Sequence, residues 1–342
     1  MVRMTTENAN GTEIPAWKAG ILATGLPLRY DAARTLVAKG FTVDADYHAA
    51  GRPAYSDPDR EIAPPHRVDL HAHATTPFTR SDRITARIEL LVACCPGDPE
   101  TVWIFPPDPG RPAGAPPPPG QALRIVDRFS PDVVSDSAAR RLDAEVPDCQ
   151  PGLILDTARG IGDAERPRKE IARLQFALPR LFADNVLSHF LAPLPDNVAF
   201  LFCPILVTPT PIYMLGTHLD NGSLASAAHI EDVTERPPLG AVRVRAGYGP
   251  TFEARCREEI TRIEPLQRTE EAQRVERMRA RKDNSQVNLP FTTIGALMAG
   301  ERYYLESFFT RFIVCSAPSL PALVDRIKKA ATDALRTRKP IE

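Results

Sequence analysis

Lysine is scarce in this chain of 342 residues. Seven lysines accompany 35 arginines, and against 43 acidic residues they leave a net charge of −1. That balance excludes an overall basic nucleic-acid coat and leaves room only for a local basic patch. Long apolar runs are missing as well. The longest, Val198 to Val207, is about half of the ~20 residues a bilayer helix requires. Met1 to Pro15 carries no apolar h-region, so this polar start is expected to be disordered rather than to act as a secretory leader. None of the six cysteines forms a Cys-x-x-Cys pair, and the only neighbours are vicinal, Cys94 and Cys95. The expectation is a reduced, cytoplasmic chain without a disulfide framework. Glycine-rich phosphate loops of the P-loop and dinucleotide types are absent, as is a Gly-x-Ser-x-Gly elbow, so nothing points to those nucleotide-binding or serine-hydrolase chemistries.

What is present is ordinary globular composition, 43% hydrophobic and 25% charged, with an excess of proline (35 residues). The length accommodates one large domain or two smaller ones. Eight of the prolines fall in 106–120, which reads as a stiff polyproline-like surface loop. Helical spacing runs from Ala16 to Lys39, broken at Gly25 and Pro27, with Gly40 as the stop. Alternation then predicts strands at Phe41–Tyr47, Val68–Ala74, Arg87–Cys95 and Thr101–Phe105. Helices are expected at Ser135–Glu145 and Glu165–Leu191. The second carries an apolar stripe of Ile171, Leu174, Leu178 and Leu181, and Pro179 should kink or split it. Val198–Val207 reads as a buried strand that Ile212–Leu215 continues. Val242–Arg245 and Phe308–Cys315 read as further strands, and Leu320–Leu335 as a final amphipathic helix. Residues 251–283 mix nine basic and eight acidic side chains, the pattern of a solvated helix face, and Arg274–Lys282 is the most basic stretch.

The strand around Asp69 is the most informative. Val68, Leu70, Ala72 and Ala74 share its apolar face, while Asp69, His71 and His73 share the other. On the next strand Glu89, Leu91, Ala93 and Cys95 share a face. Three strings, Thr24–Phe41 (TGLPLRYDAARTLVAKGF), His66–Ala74 (HRVDLHAHA) and Ala86–Phe105 (ARIELLVACCPGDPETVWIF), in this order resemble the restriction-endonuclease-like, PD-(D/E)xK, nuclease superfamily. They cover about a quarter of the chain. The resemblance implies an α/β (or α+β) fold. Its restriction-endonuclease-like mixed β-sheet core, flanked by helices, would span 16–130, with a C-terminal α/β extension over 131–342 packed on it. It also implies a metal-binding aspartate at Asp69, a second acid where Ala93 stands, a lysine where Cys95 stands, and in some members an acid where Arg29 stands. Only Asp69 keeps the residue type.

In such nucleases two carboxylates hold magnesium, the metal activates water, and the lysine offsets developing charge. Alanine gives a hard cation no oxygen, and cysteine is a soft ligand. The resemblance with these departures leads to the expectation of a catalytically degenerate nuclease-fold protein. It would bind nucleic acid or a protein partner, with no cofactor and no membrane. Arg80, Arg83 and Arg87 are candidate phosphate contacts. Two alternatives stand beside it. One is an active magnesium-dependent nuclease with relocated catalytic residues. The other is a zinc hydrolase built on Asp69, His71 and His73, which resemble the Asp-x-His-x-His strand of β/α-barrel hydrolases; further ligands would come from His189, His218, His229, Asp220 or Asp232. A variant of the latter joins His71, His73 and Cys95 around zinc. Cys94 and Cys95 read as small buried hydrophobes rather than reactive thiols.

Overall fold

The computed structural model describes residues 15–48, 67–77, 85–98, 100–108, 120–126, 132–133, 137–191, 200–216, 219–235, 237–270, 273–274, 277, 290–336 and 339–340. Several expectations therefore lie outside the described residues. These are the N-terminus before Pro15, most of the proline-rich loop, Arg80, Arg83, His218 and most of Arg274–Lys282. The strands are β1 (Thr42–His48), β2 (Arg67–Pro77), β3 (Thr85–Cys94), β4 (Thr101–Phe105), β5 (Arg124–Val126), β6 (Asp132–Val133) and β7 (Asp148–Cys149). There follow β8 (Leu153–Asp156), β9 (Ile161–Asp163), β10 (Phe200–Thr208), β11 (Ile212–Met214), β12 (Ala241–Arg245), β13 (Arg311–Ser316) and β14 (Lys339–Pro340). The helices are α1 (Ala16–Ala23), α2 (Leu26–Ala38), α3 (Ser137–Ala144), α4 (Glu165–Leu191) and α5 (Asn221–Ser226). After them come α6 (Pro250–Thr261), α7 (Pro290–Ala299), α8 (Arg302–Phe309) and α9 (Leu320–Arg336). Among the described residues no helix is long and apolar enough to cross a membrane.

The fold is mixed α/β. Its main sheet runs β1-β2-β3-β10-β13-β12-β7, with β5 pairing β10 from the side. Strands β1, β2 and β3 form an antiparallel meander; β10 lies parallel to β3, and β13 parallel to β10. The sheet thus draws strands from both sides of residue 130. It is open, with β1 and β7 at its ends, which corrects the barrel alternative: the described strands do not close on themselves. A second sheet, β11-β4-β8-β9, takes up Ile212–Met214, which pairs with β4 instead of prolonging β10. Another correction concerns Phe308 and Phe309. They end α8, and the strand begins at Arg311.

Local chemistry explains the elements around β1. Helix α2 ends as the sequence predicts. Gly40 takes φ 85°, its N–H donates to Val37 O, and the N–H of Phe41 donates to Leu36 O. This paired closure needs a left-handed residue that glycine supplies without Cβ strain. Helix α4 starts on Asp163, whose Oδ1 accepts the N–H groups of Glu165 and Arg166. It continues through Pro179 without splitting. Ile171, Leu174, Leu178, Leu181 and Phe182 bury its sheet-facing side, and that packing outweighs the missing hydrogen bond. Strand β10 is buried throughout and contains Pro204, an unusual residue for a central strand. It falls where one side of β10 changes partner, from β5 (paired at 200–202) to β13 (paired at 205–208), so the absent N–H breaks no ladder there.

The sheet separates two apolar layers. On one side Leu70, Ala72, Leu90, Val92, Leu201 and Val207 pack against Leu28, Ala32 and Leu36 of α2 and against Leu323, Val324 and Ile327 of α9. On the other, Leu91, Ala93, Cys95, Phe200, Phe202 and Leu206 pack under α4. His71, paired with Leu91, faces this α4 side, and Val68 joins it there instead of sharing the face of Leu70, Ala72 and Ala74 that simple alternation assigned to it.

Candidate functional site

Strand register decides what meets Asp69. The β2–β3 ladder ends with Leu70 facing Val92, after His71 facing Leu91, and continuing that register by one residue brings Asp69 opposite Ala93. The three positions singled out by sequence therefore gather at one end of the meander: Asp69, wholly buried Ala93, and Cys95 just past β3. Asp69 Oδ2 accepts the Cys94 N–H at 2.8 Å and lies 3.4 Å from Arg173 Nη2. Arg173 is the hub of this corner. It also pairs with Glu170 through Nη1 and donates to Arg67 O from Nε (3.1 Å) and Nη2 (2.9 Å). One guanidinium thus joins two half-buried carboxylates on different elements and pins the start of β2 to α4. Burial, with Asp69 nearby, raises the Glu170 carboxyl above its usual range, and Arg173 opposes the rise.

Arginines occupy the rest of the corner. Arg166, on the first turn of α4, donates to Pro96 O just beyond Cys95. Arg29 of α2 pairs with Asp46 at 3.0 Å, and Arg67 pairs with the same carboxylate. The Arg67 hydrogen bond and the charges of Arg67 and Arg29 hold the Asp46 carboxyl below its ordinary value. Asp46 itself has φ 62°. Simple alternation from Asp44 would turn Asp46 to the α4 face; the left-handed backbone turns it to the arginines and delivers Tyr47 to His71, ring centroids 5.1 Å apart. The thiols of Cys94 and Cys95 are buried, which raises both pKa values, that of Cys95 to about 11. Neither thiol is an activated nucleophile at neutral pH.

His71 and His73 do not join Asp69. The described group of potential ligands is Asp44, His71 and His73, whose ligand atoms lie within 4.8 Å of one another. Asp44 is opposite His71 in the β1–β2 ladder. His71 Nε2 lies 2.6 Å from Oε2 of Glu89, which is fully buried, and Arg87 pairs with Glu89 as well. Cys95 is four residues along from Leu91, the partner of His71, about 13 Å on a strand. The ligand set of His71, His73 and Cys95 is therefore not assembled. His229 and Asp232 cap a 3-10 turn, and Asp220 caps α5 through Ser223. The side chain of His189 lies outside the described residues.

Sequence reasoning missed Glu170, Arg173 and Asp44. The first two are an i, i+3 pair on an amphipathic helix, a pattern indistinguishable from an ordinary solvated pair until α4 is laid across the strand ends. Asp44 was visible within an alternating strand, and only the β1–β2 register links it to the histidines. No protein-family model matches the chain, and neither does any curated protein or solved structure.

Proposed function

We propose that this chain is a nuclease-fold protein whose cation centre has become an arginine-bridged carboxylate pair, and that it acts by binding rather than by cutting. The observation that carries the reading is the Asp69–Arg173–Glu170 bridge standing opposite Ala93. A divalent ion would have to displace a guanidinium held by two carboxylates and a backbone carbonyl. It would gain no oxygen from Ala93. The succession of α2, β1, β2 and β3, followed after the insertion of β4 to β9 and α3 by α4 and then by β10 parallel to β3, supports the nuclease resemblance stated from sequence. Around the bridge, Arg29, Arg67, Arg166 and Arg173 outnumber Asp46, Asp69 and Glu170. That local excess favours a phosphate-bearing partner, nucleic acid before protein.

A second reading rests on the same residues. Glu170 offers the second carboxylate and Arg173 the cationic group, so that swinging Arg173 aside would leave Asp69 and Glu170 to share magnesium, with α4 supplying what β3 lacks. One experiment separates the two. Labelled single- and double-stranded DNA and RNA are incubated with the protein in magnesium or manganese, and binding is followed by anisotropy. The proposal expects salt-sensitive binding, weakened by Arg67→Ala, with no cutting. Metal-dependent cutting abolished by both Asp69→Asn and Glu170→Gln would establish the second reading instead. Absence of both binding and cutting would remove nucleic acid and leave the protein-partner form of the proposal to be tested by capture on the immobilised chain.

A further inference from the structure

We infer that Asp44, His71 and His73 form a binding site for a borderline divalent transition-metal ion, zinc foremost, with a coordination position left open to water. The inference is independent of the Asp69 reading.

Geometry comes first. His71 and His73, two apart on β2, present imidazoles to the same face, with ring centroids 5.7 Å apart. Asp44 reaches them from the edge strand β1. Its Oδ2 lies 4.0 Å from His71 Nδ1 and 3.8 Å from His73 Nδ1. A tetrahedral ion with bonds of ~2.05 Å spaces its donors about 3.4 Å apart. The two spacings from Asp44 therefore stand slightly wider than in a closed site. The Asp44 side chain is 63% exposed and free to close the difference.

Two further observations point at a ligand. Glu89, 0% exposed on β3, takes the Nε2 side of His71 at 2.6 Å. That contact assigns the ring proton to Nε2 and turns the Nδ1 lone pair toward Asp44 and His73. A buried carboxylate behind an imidazole is the arrangement that orients metal-binding histidines and raises their basicity. Tyr47 packs against the His71 ring, its plane inclined by 55°. The second observation is His73 Nδ1, which is buried and has no hydrogen-bond partner although it is directed at the cluster. A buried ring nitrogen left unpaired is unfavourable, and coordination would satisfy it.

The donor set selects the ion. Two imidazole nitrogens and one carboxylate suit zinc, nickel, cobalt or copper, whereas magnesium and calcium favour an all-oxygen shell. With His73 and Asp44 both reaching solvent, the fourth position faces water. The bound ion would also tie the edge strand β1 to β2.

The test uses the full-length untagged chain, stripped of metal, and zinc chloride alone as the probe. Calorimetric titration is expected to give one saturable site. Cobalt(II) in its place is expected to give the intense visible bands of a tetrahedral ion. Asp44→Asn and His73→Ala change partly exposed side chains, so the fold should survive. Each should weaken zinc at least tenfold and abolish the rise in melting temperature that zinc gives the parent, while His229→Ala should change neither. Absence of saturable binding, or binding unaltered by both ligand variants, would overturn the inference. Zinc lost in Asp69→Asn yet kept in Asp44→Asn would overturn it too, by moving the third ligand to Asp69.

Discussion

A single guanidinium can tie three acceptors together where a strand end meets a helix. Arg173 holds Asp69, Glu170 and the carbonyl of Arg67 at once, so the corner is satisfied without an ion. The cysteine beside it is chemically quiet for a different reason. Burial raises the pKa of Cys95 to about 11 and those of Cys149, Cys203, Cys256 and Cys315 to about 12, and Cys94 moves in the same direction. In the unfolded chain such thiols titrate near ~8.5. Above that value the unfolded state releases protons that the native state keeps, so stability must fall as pH rises, by up to ~1.4 kcal/mol per thiol per pH unit. Below it both states are protonated and the contribution is complete. Urea midpoints should therefore hold between pH 6 and 8 and drop steadily from about pH 9 to 11. A thiol reagent at pH 8 should label the native protein far more slowly than the urea-unfolded one. A midpoint unchanged up to pH 10 would contradict the burial of these groups.

Element by element, the sequence was most readable where period and punctuation agree. Gly40 announced the end of α2, the alternation of Val68–Ala74 announced β2, and the stripe on Glu165–Leu191 announced α4. It was least readable where tertiary context decides. Pro179 was expected to kink or split α4, and the helix runs through it unsplit, held by its packing. Phe308 and Phe309 looked like strand and close a helix, because an aromatic-rich run satisfies either period. Ile212–Met214 looked like an extension of β10 and went to another sheet. The site followed the same rule. Asp69, Ala93 and Cys95 could be placed by counting along strands, whereas Arg173 and Asp44 depend on how α4 and β1 dock. Helix α9 offers a direct test of this packing. Its Ile327 is 0% exposed against the β2–β3–β10 layer. Ile327→Ala should lower unfolding free energy by about 2–5 kcal/mol, the usual range for emptying a well-packed site. Chemical denaturation giving under ~1 kcal/mol would mean α9 is only loosely applied.

At the scale of the whole molecule, the important fact is interleaving. Strand β3 is bordered by β2 from one side and, from Arg87 to its end, by β10 on the other, through the pairs Arg87–Phe200 to Cys94–Val207. The face carrying Asp69, Leu91 and Ala93 is roofed by α4, and the opposite face by α9 as well as α2. Any piece ending near residue 130 therefore keeps the meander and loses its second neighbour, one roof and half of the other. An uncovered β3 edge and an apolar face would remain, a combination that promotes association between chains rather than independent folding. The full chain is expected to unfold in one transition followed identically by far-ultraviolet circular dichroism and tryptophan fluorescence, with Trp103 buried under the same layer. A fragment of residues 1–130 should show no sigmoidal melt and should aggregate at micromolar concentration. If that fragment were monomeric with a cooperative melt of its own, the meander and α2 would be a self-sufficient domain, and the dependence of the Asp69 corner on α4 would have to be abandoned.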